Sequence, residues 1–109
     1  MPFDIANKQI KNTKDEILTE LHHSLRNNNA IAILVRDTHE LITTAVTGIS
    51  ADDKEGEFVI SLMHEDLHGY PLDRSQLLLS NIEKIIHFDI AFDDPQYVKV
   101  RRKEKFKVL

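Results

Sequence analysis

From Ala30 to Met63 the chain is written as strands, and that run constrains the fold more than any other feature. Ala30-Ile-Ala-Ile-Leu-Val-Arg36, Leu41-Ile-Thr-Thr-Ala-Val-Thr47 and Phe58-Val-Ile-Ser-Leu-Met63 are rich in branched side chains, which suit a pleated surface. Ile31, Ile33 and Val35 alternate with Ala32 and Leu34, so both faces of the first run are expected to be covered. Asp37-Thr-His-Glu40 is a short polar turn that makes the first two runs a hairpin. Gly48 predicts a bulge or sharp bend in the second run. Asp52-Asp-Lys-Glu-Gly56 makes the next turn; its acids do not alternate as a calcium loop requires.

What precedes this run reads as a helix laid on the sheet. Thr13-Lys-Asp-Glu16 matches a capping box, in which hydroxyl and carboxylate each satisfy a free amide. Ile17, Leu18, Leu21 and Leu25 then recur at helical spacing, and Asn27-Asn28-Asn29 is a stop that tolerates left-handed backbone. These signals predict a helix over 14–27, after a lead-in of residues 1–13. Beyond Met63 comes a longer connection from His64 to Gln76, then a short strand Leu77-Leu-Leu79 and a tight turn Ser80-Asn-Ile-Glu83. Ile86, Phe88, Ile90 and Phe92 alternate with His87, Asp89 and Ala91, which predicts a final strand with the first set buried and the second wet. Asp93-Asp94-Pro95 suits a helix start, whereas Val98 and Val100 alternate like a strand, so both readings of the tail stay open. With no repeat or linker, a single domain over 1–109 is expected, its core at 14–92 and a basic tail at 93–109. The expected fold is mainly β (α+β): an N-terminal helix followed by a five-stranded, strongly bent antiparallel sheet or small barrel.

One helix followed by five strands, with a tight turn before the last, resembles the small Sm-like and SH3-like barrels. The residues that carry the likeness are Gly48-Ile49-Ser50, Glu57-Phe-Val-Ile-Ser-Leu62 and Leu77-Leu-Leu-Ser-Asn-Ile-Glu-Lys-Ile85. The resemblance implies a barrel that binds or self-assembles rather than one that catalyses, with a homodimer or ring and a protein partner among the expectations. Such barrels serve many unrelated functions. The glycine-rich RNA-contacting signature of the Sm type is missing, and the 64–76 connection exceeds what a minimal barrel needs.

Composition removes several classes. There is no cysteine, so disulfides, thiol catalysis and cysteine-ligated zinc are excluded; a reducing cytoplasm is the expected location. The longest apolar run, Ala30 to Val35, is too short for a bilayer span, and the first residues lack the pattern of a secretory signal. Three glycines, with no phosphate-loop or dinucleotide fingerprint, argue against phosphate cradling. Charge is uneven. Lys99, Arg101, Arg102, Lys103, Lys105 and Lys107 stand against Glu104, a net of +5, which leaves −9 on residues 1–98 given the whole-chain −4. An acidic body is a poor general nucleic-acid binder, but the tail by itself can meet phosphate or an acidic partner.

One motif invites catalysis. His64-Glu65-Asp66-Leu67-His68 matches H-E-x-x-H, in which imidazoles four apart on a helix grip one zinc and the glutamate deprotonates its water. On this alternative His64 and His68 are ligands, Glu83 the third, Glu65 the general base and zinc the cofactor. Gly69 and Pro71 follow at once, and Phe58 to Met63 carries strand-favouring residues, so the competing reading is a polar loop that leaves a strand and needs no cofactor. On that reading His64, Tyr70, Asp73 and Arg74 form a binding surface, or Arg74 pairs with Asp66 or Asp73 and has no further role. His22-His23 beside the helical face reads as solvated flank.

Overall fold

The computed structural model describes residues 9–52, 57–67 and 69–94. In chain order these form β1 (Gln9–Lys11), α1 (Lys14–Asn27), β2 (Asn29–Val35), β3 (Leu41–Thr44), β4 (Val46–Ala51), β5 (Phe58–Leu62), β6 (Gln76–Leu78), a 3-10 turn (Leu79–Asn81) and β7 (Ile82–Ala91). The basic tail from residue 95 onward, with Lys99, Arg101, Arg102, Lys103, Lys105 and Lys107, lies outside the described residues.

Helix α1 forms where the sequence puts it, and for the stated reason. The Thr13 hydroxyl accepts the Glu16 N–H at 3.2 Å while Glu16 reaches back to the Thr13 N–H at 3.3 Å. Asn28, in left-handed backbone at φ 55°, ends the helix. Its buried positions are Ile17, Glu20, Leu21 and Ser24, spaced three and four apart.

The strands make two antiparallel sheets, one ordered β1-β7-β2-β3 and one ordered β4-β5-β6. They do not close into a barrel, which corrects the five-stranded expectation. Two things account for the difference. The run from Leu41 to Ala51 is divided at Ala45, so β3 ends the first sheet and β4 begins the second, with the register shifting between Val46 and Gly48. At the other end β6 pairs with β5 alone, and after the 3-10 turn β7 pairs with β2 and β1, so no ladder joins the sheets there. Residues 9–11, lead-in by sequence, are the third partner in that arrangement, with Ile10 opposite Ile86.

The core lies between α1 and the two sheets: Ile17 and Leu21, Ile31, Ile33 and Val35, Ile60 and Leu62, Ile82 and Ile85. Each such side chain contributes about 1.5–3 kcal/mol by leaving water. A smaller cluster gathers Ala30, Ala45, Leu67 and Phe92, with Met63, Phe88 and Ile90 packed on it. The expected sidedness of β7 is only partly met. Phe92 is buried, but Ile86, Phe88 and Ile90 are half-buried, and Ile82 and Ile85 supply the main core. His87 turns toward the helix instead of toward water. The face of β7 that carries Ile85 and His87 is turned to α1 and the main core, so Ile86, Phe88 and Ile90 fall on the opposite face, where the smaller cluster packs against Phe88 and Ile90. Among the described residues no helix is long and apolar enough to cross a membrane.

Candidate functional site

The stretch from Met63 to Ser75 is where the sequence concentrates chemistry, and its backbone decides what that chemistry can do. Glu65 and Pro71 form an isolated antiparallel bridge. Around it Leu72 N–H donates to His64 O at 2.8 Å and Asp66 N–H to Tyr70 O at 2.8 Å. Gly69, at φ 83°, allows the chain to reverse between them. The Asp66 carboxylate accepts Tyr70 N–H at 3.0 Å and so serves the turn. His64 to Leu67 is therefore part of a small hairpin and not a helix, and the i, i+4 stacking of the zinc alternative has no helix to supply it. His68 lies outside the described residues. Glu65 is held in the bridge, and Glu83 belongs to β7. Among the described residues no three His, Asp or Glu side chains gather to hold a metal.

The surface candidates on this stretch are distributed as follows. His64, Tyr70, Asp73 and Arg74 are all exposed. Arg74 pairs with Asp37 of the β2–β3 turn at 3.6 Å, not with Asp66 or Asp73 as the sequence suggests. Both members of that pair are open to solvent, so it contributes little. The loop has a second role that the letters do not announce. Leu67 N–H donates to Thr43 O at 2.9 Å and Met63 N–H to Ala45 O at 3.0 Å, which occupies the free side of β3. Leu67 itself is 3% exposed.

Covering β3 leaves the four sheet edges unequal. β4 starts beneath α1, where the Ser24 hydroxyl accepts Val46 N–H at 3.1 Å. β1 and β6 differ: among the described residues, β1 makes strand pairing only with β7 and β6 only with β5. Both present a large apolar side chain to solvent, Ile10 at 59% exposure and Leu78 at 42%. Leu41, on β3, is exposed as well. An unpaired strand edge offers a row of amides and carbonyls to another strand.

A third constellation lies under the helix, and sequence reasoning missed it. Glu20 is 6% exposed, and His87 Nδ1 of β7 meets its Oε1 directly. The His23 ring stands 5.7 Å from that of His87, tilted by 54°. Asn27 Nδ2 lies 3.1 Å from His23 Nδ1 and Asn29 Nδ2 lies 3.0 Å from its Nε2; a neutral imidazole has one acceptor nitrogen, so one of these two amides donates to the ring. Ser24 is likewise used, donating to Asn29 O at 2.6 Å while it accepts Val46 N–H. A carboxylate on Nδ1 orients an imidazole, but the buried Ser24 hydroxyl gives its one proton to the Asn29 carbonyl and not to an imidazole. The seam thus ties α1 to the sheet. One signal for it was present in the sequence: Glu20 falls three residues after Ile17 and four before Ser24, a charged residue at the spacing of the buried face.

Comparison with protein-family models, with curated proteins and with solved structures finds no match for this chain.

Proposed function

We propose that this chain is a non-enzymatic binding and self-association module that works through open strand edges. The observation that supports it is the contrast in backbone cover among the edges: the loop bonds to Thr43 of β3 and Ser24 of α1 to the start of β4, while among the described residues β1 and β6 pair on one side only. Exposed Ile10 and Leu78 lie on those two strands, as exposed Leu41 lies on β3. Natural sheets blunt idle edges with short strands, charge, proline or cover; β1 and β6 are three residues long and β1 carries Lys11, yet each still presents a large apolar side chain, Ile10 or Leu78, to solvent. The resemblance to Sm-like and SH3-like barrels, carried by Gly48-Ile49-Ser50, Glu57-Phe-Val-Ile-Ser-Leu62 and Leu77-Leu-Leu-Ser-Asn-Ile-Glu-Lys-Ile85, also implies binding or self-assembly, although the two sheets here do not close into a barrel. The first partner on this reading is a second copy, and a protein partner donating a strand is the heterotypic form of the same contact.

Sedimentation velocity across a concentration series tests the proposal. The wild-type chain is expected to associate reversibly, and Ile10→Lys or Leu78→Lys to shift it toward monomer with an unchanged melting temperature. If β1 of one copy meets β6 of the next, each variant alone stops growth, but a mixture of the two forms heterodimers, since each retains one intact surface. If β1 meets β1, only Ile10→Lys matters. A strict monomer at the highest attainable concentration overturns the self-association reading.

A further inference from the structure

A cleft of about 240 Å³ opens between the first turn of α1 and the 3-10 turn that precedes β7. Its apolar lining comes from Ile17, Leu79 and Ile82, each nearly fully buried as part of the main core. Its polar rim carries two cationic side chains and one carboxylate: Lys14 from the start of α1, Arg36 from the end of β2, and Glu57 from just before β5. These elements are far apart in sequence and meet only in the folded chain.

The three charges are not equally available. Glu57 Oε1 accepts Phe58 N–H at 3.1 Å and Ser80 N–H at 3.2 Å. The Ser80 hydroxyl, followed by the Phe58 N–H, holds this carboxyl below its ordinary range. Glu57 is thus a post that pins the 3-10 turn. Arg36 donates from Nε to Ser80 O at 3.3 Å, which fixes the base of the guanidinium and uses only one of its five N–H groups. Lys14 also helps to lower the Glu57 carboxyl through space, but among the described residues neither it nor Arg36 lies within salt-bridge distance of a carboxylate. The rim therefore carries one net positive charge above an apolar floor, and the volume is below that of a drug-sized pocket.

We propose that this cleft binds a small organic carboxylate, one compact apolar group bearing one negative charge, with the ring or chain on Ile17, Leu79 and Ile82 and the carboxylate between Lys14 and Arg36. A cation of the same shape meets a rim of one net positive charge. A neutral molecule of the same shape loses the ionic part of the attraction.

Benzoate is the probe, with benzylammonium as its oppositely charged match, each titrated into the full 15N-labelled chain and followed by amide shifts. Benzoate is expected to give saturable shifts centred on Lys14, Arg36, Glu57 and Ser80, while benzylammonium gives none there. Lys14→Gln and Arg36→Gln each raise the Kd for benzoate about threefold, and the double variant about tenfold, the scale of solvent-exposed ion pairs. The amide spectrum of each variant reports whether it is folded. Because Arg36 also holds Ser80, Lys14→Gln decides the matter should Arg36→Gln disturb the turn. No saturable response to benzoate, an equal response to benzylammonium, or an unchanged Kd in folded Lys14→Gln overturns the assignment.

Discussion

The loop from Met63 to Ser75 and the seam between α1 and β7 both set histidines beside carboxylates, and the fold uses them in opposite ways. In the loop the letters suggest a metal site, yet the backbone is spent on a hairpin and on the edge of β3, and His64 is left at the surface. In the seam the letters suggest a solvated helix flank, yet Glu20 is buried against His87 with His23 alongside. The same residue types differ because one set sits on a chain that reverses and the other on a helix clamped to a sheet. A motif gains its chemistry only from the backbone that spaces it, and burial gives an unremarked pair more energetic weight than an exposed match.

Three measurements sharpen or break this contrast. The largest effect is expected in the loop. Leu67→Ala removes a side chain 3% exposed and is expected to cost about 2–5 kcal/mol in urea denaturation. A cost below about 1 kcal/mol would mean that the loop is appended to the domain and free to serve as a site.

Next comes the asymmetry of the seam. His87→Ala strands a buried carboxylate and is expected to cost about 3 kcal/mol. Glu20→Gln leaves a partly exposed imidazole facing a neutral acceptor and is expected to cost about 1 kcal/mol. Replacing both by leucine is expected to recover most of the loss, since an apolar pair carries no desolvation cost. Equal costs for the two single variants would show that the seam is wetter than its geometry implies.

The smallest effect concerns acid. Glu16, through the Thr13 hydroxyl and then the Thr13 N–H, and Glu57, through the Ser80 hydroxyl and then the Phe58 N–H, are both held below the ordinary value of 4.5. A carboxyl whose folded pKa is depressed stabilises fully above its unfolded value and loses that contribution as pH falls through the folded one. Melting temperature is therefore expected to be insensitive to these two groups near neutrality and to drop more steeply below pH 4.5 than in a Glu16→Gln, Glu57→Gln variant. Identical acid limbs would remove both carboxyls from the account.

How much of this was legible beforehand follows the range of each interaction. The capping box at Thr13, the Asn28 stop, the Ile31–Ile33–Val35 face and the irregularity near Gly48 were all readable, because each depends on neighbours a few residues away. The pairing of Gln9–Lys11 with β7 was not, since three residues without a period carry no local signal. The apolar alternation of Ile86, Phe88 and Ile90 pointed to one buried face, but α1 covers the face of Ile85 and His87, and the smaller cluster packs against Phe88 and Ile90 on the other.

What the sequence determined by itself is the local grammar: one capped helix, a run of antiparallel strands with polar turns, no cysteine chemistry, and an acidic body. Tertiary structure alone decided which edges are unpaired among the described residues, that the strands there form two sheets, that Arg74 reaches Asp37, and that Lys14, Arg36 and Glu57 share one cleft. The physical reason is that backbone preference and amphipathic spacing act within a few turns of chain. Edge cover, buried polar pairs and clefts arise from segments tens of residues apart, whose meeting depends on the packing of the whole core.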